Sequence, residues 1–518
     1  MSQAESAPEG SRLLRVLNRI ASVGNRLPDP ITLFAILAGV VVIASALGEG
    51  ISEQVAQRDG SVATKTVRSL LSSAGVRWMF DSAVTNFTGF APLGSVLTVM
   101  IGIGVAERSG LVSAALRALV QSVPKSLVTA AVVFAGVMSS MAADAGYVVL
   151  TPLGAVLFVG LGRHPIAGLA AAFAGVSGGY SANLFITGLD PLLAGLTQEA
   201  ARTIDPEYRV TSIANYYFML GSTALITVVG TLVTSRIVEP MLGPYEGEHQ
   251  DEPETSGAAA ETRALRLSAL AATITVALIA LLVAFPDAPL RDAVKPGRPA
   301  VEALGTFFGA IEILIAIAFF IPGVVYGVAT GSVKNDKDVA RMTSETMATM
   351  GAYIALAFVA AQFVAYFNWT NLGAVSAVKG AGVLKAAGLS GLPLLLAFLV
   401  VSSTMNLFVG SASAKWAFMA PVFVPMMMMM GFSPEAVQAT YRVGDSTTNI
   451  ISPLMPYLPI IIVFAQKYDP RAGLGTMIAA MLPYSIAFGL CWTGLLAVWI
   501  GFDFPLGPGV SSSYSFTE

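Results

Sequence analysis

The sequence predicts an all-α polytopic membrane protein built from nine transmembrane helices and two re-entrant helical hairpins arranged as inverted repeats. Three observations carry this expectation. Of 518 residues, 55% are hydrophobic and 12% charged, and the mean hydropathy is +0.72, far from the balance of a soluble domain. Two long apolar segments are interrupted near their middles by small and polar residues. These two segments also match each other in the order of their prolines and glycines.

The chain begins with a segment, residues 1–30, whose Arg12, Arg15, Arg19 and Arg26 alternate with Leu13, Leu14, Val16, Leu17, Ile20 and Val23. It reads as an amphipathic cytoplasmic helix lying at lipid headgroups. With no short apolar core ending in a cleavage site, it is not a secretory signal. The membrane domain follows over residues 31–501. A helix needs about 20 apolar residues to cross the hydrocarbon core. Nine stretches qualify: Ile31–Leu47, Phe87–Ala106, Ile166–Leu196, Ile213–Thr234, Leu267–Phe285, Phe307–Val328, Met347–Phe367, Pro434–Phe464 and Met477–Ile500. Gly110–Val120 is too short to span and reads as an in-plane connector. Residues 239–261, with Glu246, Glu248, Asp251, Glu252 and Glu254, read as an acidic cytoplasmic linker. Residues 502–518 form a C-terminal tail.

The interrupted segments are residues 127–161, broken at SSMAADAG, and residues 394–430, broken at GSASAK. As continuous spans they would carry Asp144 and Lys415 through lipid. As hairpins that enter and leave on one side, with the polar tip buried in protein, they avoid that cost. The hairpin reading also places Arg108, Arg117, Lys125, Arg163, Arg236, Arg263, Lys334, Lys337, Arg341, Lys467 and Arg471 on the same side as the N-terminus, the cytoplasmic one by the positive-inside rule.

Aligning Ala143–Pro165 with Ala412–Pro434 pairs Pro152 with Pro421, Gly162 with Gly431 and Pro165 with Pro434 at one constant offset, with Tyr147 opposite Trp416. After a short gap, Ser181-Ala182-Asn183 lies opposite Thr447-Thr448-Asn449. Five spans separate the hairpins, an odd number, so the hairpins open to opposite faces. Inverted repeats with paired broken helices are a design of secondary transporters, which bind substrate and coupling ions near the bilayer midplane.

The chemistry concentrates around those breaks. Arg442 and Asp445 lie on one helical face, and two readings are open: Arg442 anchors a substrate carboxylate, or Asp445 neutralises it as a buried pair. Asn183, Asn449, Ser181, Thr447 and Thr448, with Asp445 beside them, offer hard oxygen ligands of the kind a sodium ion takes. Proton coupling would instead rely on a titrating carboxylate. Asp190 is the first candidate, with a helix-terminal role before Pro191 as the alternative. Asp144 is read as a cap or a transport residue. Trp416, near Ser413 at the second hairpin's tip, is positioned to stack on an aromatic substrate or to pack the hairpin. Lys415 either complements a second carboxylate or snorkels to the surface. Met426–Met430 read as an adaptable sliding surface, and Glu312 as a helix-interface residue.

Other classes are excluded on composition. A net charge of −3 without a basic block gives no nucleic-acid footprint, and Cys491 as the single cysteine rules out an internal disulfide. His164 and His249 fall in loops and make no His-rich metal site, and no nucleophile–base pair lies within a span, so an enzyme is not expected. No cofactor is implied beyond a coupling ion.

The segments SASAKWAFMAPVFVPM, GFSPEAVQATYRVGDSTTNIISPLMPYLPII and YSANLFITGLDPLLAG, with PDPITLF and FNWTNLG, resemble the signatures of the AbgT family, the p-aminobenzoyl-glutamate transporters, over roughly Leu27–Ile500. The resemblance implies a homodimer in a bacterial inner membrane. In each protomer a scaffold would hold the interface while a unit of hairpins and broken spans moves as an elevator. It implies import of p-aminobenzoyl-glutamate or export of sulfonamide antimetabolites on a sodium or proton gradient. It also marks Asp190, Trp416, Pro434 and Arg442 as important positions. A sodium-coupled dicarboxylate carrier of related architecture is the alternative. Direction and coupling ion are not legible in the sequence.

Overall fold

The computed structural model describes residues 28–56, 62–142, 146–245, 258–293, 303–455 and 457–515. Asp144, His249, nearly all of the N-terminal amphipathic segment and the middle of the acidic linker lie outside the described residues.

The first span, α1 (Pro30–Leu47), starts where Asp29 accepts the Ile31 amide at 2.9 Å and Pro30 presets the first turn. A two-stranded antiparallel hairpin follows, β1 (Ser52–Ala56) and β2 (Val62–Thr66), pairing Ser52 with Thr66 and Ala56 with Val62. The hydropathy pattern gave no sign of it, because its strands are short and polar. Helix α2 (Ser73–Thr88), capped by Ser72, leads through Gly89 and Phe90 into α3 (Ala91–Arg108). The second span therefore starts four residues later than Phe87 and is preceded by a helix that the apolar count did not reach.

Helix α4 (Leu111–Gln121) bends by 117° into the first hairpin. Its arms are α5 (Val128–Met138) and α6 (Thr151–Gly160), the latter preceded by a π-turn, Gly146–Leu150. The third span is broken, with α7 (Pro165–Phe173) widening into a π-turn at Ala174–Gly178 and the chain resuming as α8 (Leu189–Ala201). His164 caps α7, its Nδ1 accepting the Ile166 amide at 3.2 Å. Burial holds that imidazole below its usual pKa, partly offset by Asp469 and Glu239. Helix α9 (Tyr216–Val233) continues through a π-turn to Leu242. It is followed by α10 (Ala258–Ala284), α11 (Ile311–Thr330), α12 (Asp336–Thr349) and α13 (Gly351–Trp369).

Helix α14 (Leu372–Ala386) bends by 115° into the second hairpin, α15 (Gly391–Asn406) and α16 (Ala412–Met428). The second broken span pairs α17 (Pro434–Asn449) with α18 (Leu458–Gln466), and α19 (Leu474–Gly501) is the last crossing. Among the described residues, seven helices are long and apolar enough to cross a membrane unaided. The two broken spans complete nine among the described residues.

Side-chain contacts sort the loops into two sets, as an alternating topology requires. On the face where α1 begins, Arg108 binds Glu345, Arg117 binds Glu261 and Arg163 binds Glu239, each at 2.6–2.8 Å. On the other face, Arg68 lies 4.4 Å over the Trp369 ring, Tyr208 donates to Glu435 at 2.9 Å, and the backbone amide of the tail residue Tyr514 donates to the Gly431 carbonyl. The first hairpin opens to the first face and the second to the other, so the repeats are inverted.

Each hairpin has its own core. Around the first, Val133, Val137 and Phe158 pack with Ala170, Phe173, Phe488 and Trp492. Around the second, Phe398, Trp416 and Val424 pack with Leu193, Leu196, Ala361 and Tyr441. The broken spans pass between these cores: α7 belongs to the first and α8 to the second, and α17 contributes Val443 to the first and Tyr441 to the second. Backbones approach closely enough to require glycine where the first hairpin meets α7. A Cβ on Gly168 would lie 2.2 Å from the Gly154 carbonyl oxygen, the small-residue contact that replaces a hydrophobic driving force inside a bilayer.

Candidate functional site

Where the spans break, the backbone needs partners, and the side chains that supply them define the site. After Gly178 the chain runs without regular helix to Gly188, and after Asn449 the described residues do so to Tyr457. Asn183 ties the first break to the first hairpin, its Nδ2 donating to Ser140 Oγ at 2.8 Å and to the Val137 carbonyl at 3.3 Å while its Oδ1 accepts the Phe185 amide. Asn449 does the same for the second, its Oδ1 accepting from Asn406 on α15 at 2.9 Å. The breaks also meet directly, the Ser181 amide donating to Ser446 Oγ at 3.2 Å. The Thr447 and Thr448 hydroxyls donate to carbonyls of their own helix, those of Val443 and Gly444.

Two buried ion pairs flank this junction. Arg442 donates to Asp190 Oδ1 at 2.5 Å, with both side chains at most 3% exposed. The other Asp190 oxygen accepts from the amide and hydroxyl of Thr187 at 2.7 and 2.9 Å, at the start of α8. Lys415 donates to Asp445 Oδ1 and to Asn406 Oδ1 and is fully buried. Asn406 in turn donates to the Asp445 carbonyl and to Thr448.

This pairing corrects the sequence reading of an Arg442–Asp445 pair. Both residues project from one side of α17, but each is claimed by a different neighbour: Arg442 by the first turn of α8, Asp445 by the second hairpin. A bond within one helix turn is worth a few tenths of a kcal/mol. It does not compete with neutralising a charge on a helix packed against it in the absence of water. Lys415 likewise does not snorkel.

The two repeats differ at this point. On the offset that pairs Pro152 with Pro421, the triad Asn406, Lys415 and Asp445 falls on Val137, Gly146 and Val176. The equivalents are also neighbours, since a Cβ on Gly146 would sit 3.1 Å from Val176 Cγ1. Gly146 also closes on Ser139 Oγ, 2.1 Å from the same Cβ position, so the first repeat makes its hairpin-to-break contact without a charge pair.

Trp416 packs in the core of the second hairpin, the other of the two roles its position allowed. Its ring is fully buried, 4.5 Å from that of Tyr441, and its Nε1 donates to Thr197 Oγ1 at 2.9 Å. Thr197 also accepts from Gln438, which accepts from Asn215. Three residues after Ser413, the helix has turned Trp416 away from the tip and onto α8 and α17. Pro434 sits at the first turn of α17, behind the Ser433 cap and remote from the breaks. Glu312 accepts from Ser212 at 2.7 Å, a helix-to-loop contact. Met427 and Met428 are buried in the second hairpin's core.

Between the hairpin tips lies a cavity of about 410 Å³. The first hairpin contributes Ser140 and Tyr147, the second Ser411 and Ser413, and the breaks Tyr180, Thr187, Asn449 and Tyr457. Helix α3 adds Met100, α13 adds Tyr353, and Met350 joins them from the N-cap of α13. Helices α8 and α16 both begin at its wall, at Gly188–Leu189 and Ser411–Ser413. Their N-termini present positive dipole ends and amide donors. Arg442, Asp190, Lys415 and Trp416 are not among the wall residues. Among the tyrosines, Asn406, Thr187 and Thr197, the sequence marks only Tyr147, through its alignment with Trp416; Tyr180, Tyr353, Tyr457, Asn406, Thr187 and Thr197 carry no such mark. The available signal was that Tyr147, Tyr180 and Tyr457 each sit at the edge of a Gly-, Ser- or Pro-rich break.

Comparison with known proteins agrees with this architecture. The profile of the AbgT transporter family matches residues 15–514. The p-aminobenzoyl-glutamate transport protein of Escherichia coli (strain K12) is 36% identical over 507 residues, covering 98% of each chain. Among solved structures, the YdaH transporter of Alcanivorax borkumensis shares 46% identity at a TM-score of 0.86, covering 93% of this chain and 100% of that one. MtrF of Neisseria gonorrhoeae, described with a class of antimetabolite efflux pumps, shares 44% at 0.87, covering 96% and 100%. With two inverted hairpins, two broken spans and this match along nearly its whole length, the chain belongs to the AbgT family of transporters.

Proposed function

We propose that the protein is a secondary active carrier of p-aminobenzoyl-glutamate-type aryl amides, of sulfonamide antimetabolites, or of both, coupled to a sodium or proton gradient. The observation that carries this reading is the cavity at the meeting of both hairpins and both breaks. Its volume of about 410 Å³ suits a small organic solute. Its wall joins tyrosines to serines, Asn449 and two helix starts. An aryl amide with carboxylates matches both kinds of surface: the ring takes the tyrosines, the carboxylates the helix N-termini and hydroxyls. A sulfonamide would use the aromatic part and rely less on the anion-binding part. A dicarboxylate alone would leave the tyrosine wall without a partner.

Movement of the hairpins and broken spans against a scaffold of α1, α2, α3, α10, α11, α12 and α13 would carry the cavity between faces. The scaffold helices pack mainly on one another, α3 on α11 and α13 on α1, which favours their acting as one body. A homodimer in a bacterial inner membrane is part of the same reading. So is a cytoplasmic N-terminus, favoured by Arg108, Arg117 and Arg163 on the face where α1 begins.

The test is flux in proteoliposomes with radiolabelled p-aminobenzoyl-glutamate and a labelled sulfonamide, imposing sodium and proton gradients separately. Movement of at least one aryl solute against its gradient, driven by one of the two ions, is expected. Transport of succinate with neither aryl solute moved contradicts it.

A further inference from the structure

We propose that the substrate's aryl ring is held by a tyrosine subsite of the cavity, formed by Tyr147, Tyr457, Tyr180 and Tyr353, and not by Trp416. The inference rests on the aryl-substrate reading above and assigns the residues that read the ring.

Four tyrosines from four different elements reach one cavity: the first hairpin, the first break, the second break and scaffold helix α13. Tyr147 and Tyr457 are already stacked, centroids 4.2 Å apart and planes within 8°. This pair bridges the two repeats and offers a rigid aromatic surface that loses little conformational freedom when a further ring packs against it. Trp416 has no comparable freedom. It is fully enclosed, and its indole N–H is held by Thr197.

Tyr353 adds a polar contact. Tyr353 lines the cavity, and among the described residues its buried hydroxyl has no hydrogen-bond partner. A buried hydroxyl without a partner is unfavourable, and a small rotation of the Tyr353 side chain on binding would bring it to a polar substituent of the aryl ring, an amine or a carbonyl or sulfonyl oxygen. Met100, Met141, Met350 and Met455 share the rest of the apolar wall with Val96, Leu189 and Leu192. Thioether side chains adapt to ligands of differing shape, which suits a subsite that accepts both a benzamide and a benzenesulfonamide core.

The experiment is equilibrium binding of radiolabelled p-aminobenzoyl-glutamate and of sulfadiazine to the full-length protein in proteoliposomes, with transport measured on the same vesicles. Tyr457→Leu is expected to raise Kd for both ligands about tenfold. Tyr353→Phe, which removes one oxygen and keeps the ring, is expected to raise it about fivefold. Trp416→Phe should lower the maximal rate while leaving Kd within about twofold. Thermal unfolding of each variant separates lost binding from lost folding, and Tyr353→Phe decides the matter should Tyr457→Leu not fold. Wild-type Kd values in both tyrosine variants, with a tenfold rise in Trp416→Phe, overturn the subsite and leave the transporter reading intact. A wild-type protein that binds neither aryl ligand overturns both.

Discussion

Asp445→Asn is expected to abolish transport and to destabilise the protein by about 3–5 kcal/mol, because it strands the Lys415 ammonium, fully buried, without a counter-charge. The asparagine also has to share Asn406 with its own amide. The informative comparison is the double variant Lys415→Met with Asp445→Leu. On the hairpin offset Lys415 falls on Gly146 and Asp445 on Val176, and on the offset of the breaks Asp445 falls on Gly179, so a contact between hairpin and break without a charge pair is already compatible with this fold. Replacing a buried ion pair by apolar residues of similar volume is commonly neutral or stabilising. The double variant should therefore recover a wild-type unfolding temperature in detergent and remain inactive in flux assays. Activity in the double variant would mean that the pair serves structure alone. Instability as severe as that of Asp445→Asn would mean that the repeats are less interchangeable than their geometry indicates.

Loss of either partner of the second pair should be nearly as damaging. Arg442→Ala leaves Asp190, 1% exposed, facing its remaining donors from Thr187 with no cation. It also loosens α17 from α8, and stability should fall by about 3–5 kcal/mol. Because Arg442 spends its guanidinium on Asp190 and does not line the cavity, transport of p-aminobenzoyl-glutamate and of a sulfonamide should fall together, by about 100-fold or more. A loss confined to the glutamate conjugate would show instead that Arg442 leaves Asp190 to bind a substrate carboxylate during the cycle. Parallel flux measurements on Arg442→Ala and Asp190→Ala check this, with equal deficits expected.

Much of the architecture is legible in the sequence because a bilayer imposes coarse rules. The hairpins stand out because segments 127–161 and 394–430 are long and apolar yet carry polar middles, and because their prolines and glycines repeat in order. The β1–β2 hairpin and α2 follow no such rule. Their residues are polar or weakly amphipathic and depend on tertiary contacts, such as Arg68 over Trp369 and Asn371 Nδ2 on the Thr66 carbonyl. The site shows the same divide. That Arg442, Asp445, Lys415 and Asp190 lie buried near the breaks follows from their position in apolar sequence. Which acid meets which base does not, since Asp190 and Arg442 are 252 residues apart and only the packing of α8 on α17 joins them. Trp416 drew attention because it adjoins a charge. Tyr180, Tyr353 and Tyr457 did not, because an aromatic residue in a membrane helix has many unremarkable uses.

The central claim is that both hairpin tips and both breaks enclose one cavity. It is tested most directly by thiol labelling in vesicles. In a Cys491→Ser background, which removes the native exposed thiol, single cysteines replace Ser140 and Ser413, which line the cavity from opposite hairpins. Both should be labelled from the same side of the membrane by a small impermeant thiol reagent, and both should be protected by p-aminobenzoyl-glutamate. Simultaneous labelling from opposite sides, with no protection at either position, would contradict the account.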